Sequence, residues 1–509
     1  MAPSADLPGA GRGRTVASSD RAFQRNFAAR GTGLDLETGW IASGIAAAVF
    51  LLAVATAVHA LLQRRETGAV IAWVGLIFLL PLAGSILYWL FGINRIRRRA
   101  RALREGHSPA PAAHRSLDVD PDLSARWRGL LGSGDALSPF TVAPGNRVTP
   151  LFDGDRAYQA MLYAIDGAQR RVTLATYIFD ADPIGLHFAE RLKAARDRGV
   201  DVRVLIDGIG ARYSRRSMLR HLRRLGVRTA AFLPVQLPRT VAVFNLRNHR
   251  KLLVVDGTIG FTGGMNIRRG HCRTAPGKHP IHDLHFEIEG PVVEQLEAIF
   301  CEDWHFSTRE RVTTAPGSDR PAGPPPGHTP CRGLPDGPDE DFEVLQFTLL
   351  AALAEARERV TIVTPYFLPD VGLLGALKTA ALRGVQVDIL LPERSNLRLV
   401  QWAGNPLHTE LVERGCRLWL TPPPFNHSKL MLVDECWVLF GSGNWDPRSL
   451  RLNFEFNVEC YDAELGRRLG RWASELRARS RRLDLAEIQK RPIPMRLRDG
   501  AARLLTPYL

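Results

Sequence analysis

The feature that most constrains this chain is a spaced pattern that occurs twice. The first copy runs Asn248-His249-Arg250-Lys251, four apolar residues, Asp256, then Gly263-Gly264-Met265-Asn266. The second runs Asn426-His427-Ser428-Lys429, four apolar residues, Asp434, then Gly441-Ser442-Gly443-Asn444. Every shared position is displaced by 178 residues. The flanks echo each other too: RRVTLATYIFDAD matches ERVTIVTPYFLPD, and DRGVDVRVLI matches LRGVQVDILL. A duplication with a unit of roughly 150 residues is too long for a solenoid and predicts two homologous domains. Accident is a poor explanation. Only six of the 67 basic side chains are lysine, yet each copy uses one.

The local pattern is layered α/β. Residues 172–179 read as a buried strand, 184–198 as an amphipathic helix and 200–206 as a second strand. The series repeats at 360–367, 371–383 and 385–391. Strands alternating with helices imply a sheet covered by helices. The four residues after each lysine, LLVV and LMLV, read as a buried strand. Histidine and the second-next lysine share one side of extended chain, so both project into a common site. Imidazole is a nucleophile or general acid/base near neutral pH. Lysine is a compact cation suited to a phosphate oxygen. Asn266 and Asn444, at turns after the next strand, add neutral donors. Two such units face to face offer two histidines, two lysines and two asparagines around one phosphate, enough to stabilise a pentacoordinate phosphorus without metal. Asp256 and Asp434 complete the motif and count with its catalytic set, although their opposite parity fits a structural ion pair equally well.

These residues resemble the phospholipase D superfamily, whose hallmark is the doubled H-x-K-x4-D motif, and within it the bacterial cardiolipin synthases. The resemblance spans about residues 66–105 and 146–509, including AWVGLIFLLPLAGSILYWLFGINRIRRR, TYIF, TPYFLPD, GPDEDF and the terminal LLTPYL. It implies two phospholipase D-type α-β-α sandwich domains related by a pseudo-two-fold axis. It implies phosphatidyl transfer between two phosphatidylglycerol molecules through a phosphatidyl-histidine, giving cardiolipin and glycerol. His249 is the expected nucleophile and His427 the acid/base, with Lys251, Lys429, Asn266 and Asn444 on the phosphoryl oxygens. In the family an acid orients each histidine through its other nitrogen, a role that falls on Asp283 and Glu455. Ser442 is a further phosphate ligand, and asymmetric, because Gly264 replaces it in the first copy. Hydrolysis, or transfer to another alcohol, uses the same residues and stays open.

Two apolar runs precede the motifs. Trp40–Leu62 and Ala69–Ile93 are 23 and 25 residues long, each long enough as a helix to cross a ~30 Å hydrocarbon core. Both are expected to span a membrane. The first 104 residues hold thirteen arginines and five acidic residues, so +8 of the net +15 lies there. Arginines at 12–30 and 95–104 outnumber the two at 64 and 65, which puts both ends and the catalytic part on the cytoplasmic side of a bacterial plasma membrane. The organisation expected is a flexible tail 1–38, an anchor 39–104 with spans 40–62 and 69–93, a linker 105–145, a first domain 146–306, a Pro/Gly-rich linker 307–341 and a second domain 342–509. The basic balance suits anionic lipid. A nuclease of the same superfamily is disfavoured, because the excess charge sits at the anchor. No nucleic-acid partner is expected, and sequence leaves the oligomeric state open. His271, Cys272, His279, His282 and His285 are clustered, but their spacing fits no common zinc pattern. They read as a loop with one active-site neighbour. No metal and no cofactor are expected.

Overall fold

The computed structural model describes residues 19–62, 67–91, 121–213, 216–234, 246–274, 277, 279–314, 324–338 and 343–506. The chain divides into two compact units, residues 1–94 and 95–509.

In the first unit, helix α1 runs Ser19–Leu62 and contains the apolar stretch Trp40–Leu62. Residues 19–39, expected within a flexible tail, continue the same helix. It is the one helix among the described residues that is long and apolar enough to cross a membrane. The second expected span is not one continuous helix. It forms α2 (Thr67–Leu79) and α3 (Pro81–Phe91), broken at Leu80. Pro81 has no N–H to extend the helix and its ring crowds the preceding turn. The chain bends so sharply that a Cβ on Gly84 would lie 2.4 Å from the Leu76 carbonyl oxygen. The polar residues that interrupt α1 find partners across this bend. His59 Nδ1 lies 2.7 Å from the Tyr88 hydroxyl, and Trp89 Nε1 donates to Thr56 Oγ1 at 3.3 Å. In an apolar environment such groups must be satisfied from within the protein. The arginines at 64, 65 and 95–104 lie outside the described residues.

The second unit is built on one sheet of sixteen strands. The first half supplies β1 (Ala143–Phe152), β2 (Arg171–Thr176), β3 (Asp201–Asp207), β4 (Arg228–Phe232), β5 (Arg247–Asn248), β6 (Leu252–Val255), β7 (Ile259–Gly263), β8 (Ile281–His282) and β9 (Leu284–Glu289). The second supplies β10 (Thr329–Asp336), β11 (Arg359–Val363), β12 (Gln386–Pro392), β13 (Arg417–Thr421), β14 (Phe425–Asn426), β15 (Leu430–Val433), β16 (Trp437–Gly441), β17 (Asn453–Tyr461) and β18 (Arg481–Arg482). The order 4-3-2-6-7-9-1 is mirrored by 10-17-16-15-11-12-13, and β1 pairs with β10 antiparallel at the centre. The halves therefore share one continuous sheet with pseudo-two-fold symmetry.

Side chains alternate across it as the period of two demands. Val202, Val204 and Ile206 face helices Asp153–Gly167 and Pro183–Asp197, while Leu205 faces the other side. That other side is one core common to both halves. Helices Val292–Thr308 and Ala463–Ala478 cover it, and Phe286 stacks on Phe440 across the midline at 3.6 Å. Both expected linkers contain ordered structure. Residues 121–126 and 128–137 are helices; Trp127 between them, with Leu130 and Leu131, enters the core of the second half. The segment 307–341 contains the central strand β10.

Candidate active site

Two short strands bring the halves together at the site. β5 pairs in parallel with β17, placing Asn248 opposite Phe454, and β14 pairs with β8, placing Asn426 opposite His282. The next residue in each case is a motif histidine. His249 N donates to Phe454 O at 2.9 Å, and His427 N donates to His282 O at 2.7 Å. The residues after those acceptors are Glu455 and Asp283. Each histidine therefore meets the carboxylate of the other half: His249 Nδ1 to Glu455 Oε2 at 2.9 Å, and His427 Nδ1 to Asp283 Oδ2 at 2.8 Å. Both carboxylates are buried. A carboxylate on Nδ1 fixes the tautomer with Nε2 as the basic nitrogen.

The lysines are buried beside them. Lys251 Nζ donates to His249 O at 2.5 Å, and Lys429 Nζ to His427 O at 2.6 Å. Desolvation pushes the Lys251 ammonium down to about 7 and that of Lys429 to about 8. Burial, opposed by Glu455, holds His249 below its usual range. Burial and the two lysines hold His427 well below it. Both imidazoles are neutral at pH 7. They differ in one respect: Lys429 Nζ lies 3.1 Å from His427 Nε2, whereas His249 Nε2 makes no hydrogen bond among the described residues.

The carboxylates differ as well. Ser442 Oγ donates to Glu455 Oε2 at 2.5 Å, and Asn453 Nδ2 donates to Oε1 at 3.0 Å. Ser442 was expected on phosphate; it is fully buried and holds Glu455 instead. The first half has glycine there for a steric reason. A Cβ on Gly264 would sit 2.2 Å from Asp283 Oδ1. Asn266 Oδ1 accepts from Ile178 N at 3.1 Å, which turns its amide nitrogen the other way. Asn444 Nδ2 donates to Ser449 Oγ at 3.1 Å. Tyr177 and Tyr366 flank the histidines, with ring centroids 5.2 Å from His249 and 6.3 Å from His427.

Asp256 and Asp434 do not belong to this constellation. Each ends its strand five residues beyond the lysine, about 17 Å away at 3.3 Å per residue. Asp256 accepts from the backbone N–H groups of Gln169, Arg170 and Arg171, each at 2.8 Å. Asp434 accepts from Arg357, Glu358 and Arg359 and pairs with Arg126 at 2.5 Å. The last residue of the motif therefore caps the start of β2 and β11. Asp256→Asn is expected to cost about 1–3 kcal/mol of stability through weakened amide bonds. The activity of the folded fraction should stay within twofold, checked by thermal unfolding alongside turnover.

Of the clustered histidines, His282 meets His427 through its backbone carbonyl, and His271 lies beside it through its ring. His271 is buried, its Nδ1 is 3.7 Å from Asp283 Oδ2, and its ring centroid is 6.4 Å from that of His427. Desolvation pushes it down to about 3. His285 is buried too, held at about 4 for the same reason. Among the described residues no group of three His, Cys, Asp or Glu side chains is placed to hold a metal ion.

Comparison with known proteins agrees with this geometry. Residues 161–304 and 349–477 match the family profile described as cardiolipin synthase, PLD-like domain. Residues 51–92 match one described as phospholipase D-nuclease N-terminal. The chain is 31% identical to a cardiolipin synthase of Geobacillus kaustophilus, over 88% of this chain and 90% of that one. It is 30% identical to the major cardiolipin synthase of Bacillus subtilis, over 88% and 95%, and 32% identical to cardiolipin synthase A of Pseudomonas putida, over 91% and 97%. A phosphatidylserine synthase of Haemophilus influenzae shares the fold at 15% identity, with a TM-score of 0.58 over 75% of this chain and all of that one. The doubled motif, the mirrored sheet and these likenesses together show that the chain belongs to the cardiolipin synthase family of the phospholipase D superfamily.

Proposed function

We propose that this phosphatidyltransferase makes cardiolipin from two phosphatidylglycerol molecules. The observation that carries the reading is the pair of imidazoles, each fixed through Nδ1 by the opposite half and each beside a buried lysine. His249 Nε2 attacks phosphorus of the first lipid, an N–P bond forms and the P–O bond to glycerol breaks. His427 gives its proton to the departing glycerol oxygen. The bound phosphodiester anion raises the basicity of His427 enough for it to carry that proton. His427 then takes the proton from a glycerol hydroxyl of the second lipid, whose oxygen attacks phosphorus and displaces His249. Lys251 and Lys429 neutralise the oxygens of the transition state, and the amide nitrogen of Asn266 adds a donor. Nucleophile assignment to His249 follows from its unengaged Nε2. The α1 helix spans the bilayer and α2–α3 also enters it. The catalytic unit lies on the cytoplasmic side, a reading supported by the arginines at 95–104.

The test is mass spectrometry of lipids after the purified protein is incubated with phosphatidylglycerol in liposomes. Cardiolipin and free glycerol in equal amounts are the expected products. Phosphatidic acid with glycerol would make water the acceptor and refute synthesis.

The pH dependence follows from the same groups. His249 must be neutral to attack, and burial holds its pKa below the usual imidazole range, so the acid limb of kcat/KM falls below that range. The lysines must be charged, so the alkaline limb falls near 7–8. Stability moves the other way. Lys251 has a folded pKa of about 7 against 10.5 unfolded. Between those values the unfolded chain binds more protons, and this group's contribution makes stability rise with pH. A profile that stays flat to pH 10 would contradict charged lysines in the transition state.

A further inference from the structure

Large exposed apolar side chains gather at one place on the catalytic unit. Among its described residues, seven of the twelve are Leu397, Leu399, Ile493, Met495, Leu497, Leu504 and Leu505. The helix Ile493–Arg503 reverses the usual orientation of a surface helix. Its inward side is small and polar: Ala502 is buried, and buried Asp499 accepts from Arg491 at 2.7 Å, Arg498 at 2.8 Å and Asn405 at 3.0 Å. At about 100° per residue, Ile493, Leu497 and Leu504 share the opposite strip. They are 69%, 69% and 80% exposed. Exposed Arg496 and Arg503 run along one edge of that strip. Leu397 and Leu399 lie at the start of the neighbouring helix Arg398–Gly404, which packs against this one, beside exposed Arg394 and Arg398.

Water gains nothing from such a strip. Large apolar side chains interleaved with arginine match the interface of an anionic bilayer, where the chains enter the acyl boundary and the guanidinium groups meet phosphate. Position supports this occupant. The same two helices wall a cavity of about 310 Å³ whose lining reaches Tyr366, an aromatic neighbour of His427. We propose that this face docks the catalytic unit onto an anionic phospholipid surface, independently of the N-terminal anchor, beside a lipid route to His427. The route rests on the phospholipid reading of the site; the docking does not.

The full-length protein, reconstituted in vesicles of phosphatidylglycerol and phosphatidylethanolamine, tests it in two ways. Leu497→Cys carrying a bimane label should be quenched by lipids brominated on the acyl chain, since the native cysteines are buried or half-buried. No quenching would overturn the proposal, as would loss of an oligomer on Leu497→Asp in detergent solution without bromolipid quenching, which would assign the strip to a second copy. The double variant Ile493→Asp/Leu497→Asp should make cardiolipin at least tenfold more slowly from bilayer phosphatidylglycerol. On dissolved short-chain phosphatidylglycerol it should stay within twofold of the parent. Equal rates on both substrates, relative to the parent, would also overturn it. A parent protein that makes no cardiolipin would sink the functional reading alone, because the quenching result stands without turnover.

Discussion

His249→Ala is expected to lower cardiolipin formation by at least ~10⁴-fold, because it removes the nucleophile and no neighbouring group replaces it. His427→Ala should be as damaging with phosphatidylglycerol, whose glycerol leaves poorly without a proton. The two variants separate on a phosphodiester with a nitrophenolate leaving group, which needs no acid to depart. There His427→Ala should release one burst of nitrophenolate per enzyme, and His249→Ala none. A burst from His249→Ala alone would reverse the assignment, and bursts from both variants would refute it. The structural basis is the difference at Nε2, engaged by Lys429 on His427 and open on His249.

The second large effect tests the exchange between halves. Glu455→Gln should lower turnover by about 10²–10⁴-fold, because an amide leaves His249 without its anionic partner and free to adopt the wrong tautomer. Asp283→Asn should do the same to His427. The diagnostic readout is histidine titration by NMR. Glu455→Gln should lower the pKa of His249, which lies in the other half, and leave that of His427 within a few tenths. Since the ion pair raises the His249 pKa against desolvation, losing it moves the pKa down. A shift at His427 and none at His249 would refute the crossed arrangement. Ser442→Ala should act in the same direction more weakly, about tenfold, through the loss of one hydrogen bond to Glu455.

Much of this site was legible before any coordinates. The scarce lysines and the constant offset pointed to His249, Lys251, His427 and Lys429, and the family resemblance assigned Asp283 and Glu455 as partners of the histidines. What a linear pattern does not carry is which half an acid serves. Both copies read alike, and the exchange is set by β5 pairing with β17 and β14 with β8, contacts about 200 and 145 residues apart in sequence. The central strands were hidden for a related reason. TPCRGLPD is rich in Pro and Gly and falls within the expected linker, as do the first three residues of APGNRVTPLF. Their place in the sheet comes from pairing with each other and with β9 and β17, not from local propensity. Parity left the final aspartate of each motif open between catalysis and structure; its side chain binds the backbone of a strand about 80 residues away in sequence, which spacing does not reveal. Hydropathy likewise recorded the length of the 69–93 run but not the bend at Leu80, which depends on Pro81 and on Gly84 closing against Leu76.

The most direct measurement is peptide mass spectrometry of the wild-type protein, quenched in alkali within the first turnover on phosphatidylglycerol and digested without exposure to acid. The account predicts a phosphatidyl adduct on the peptide containing His249 and none on the peptide containing His427. An adduct on His427, or cardiolipin formation with no adduct on either histidine, would contradict it.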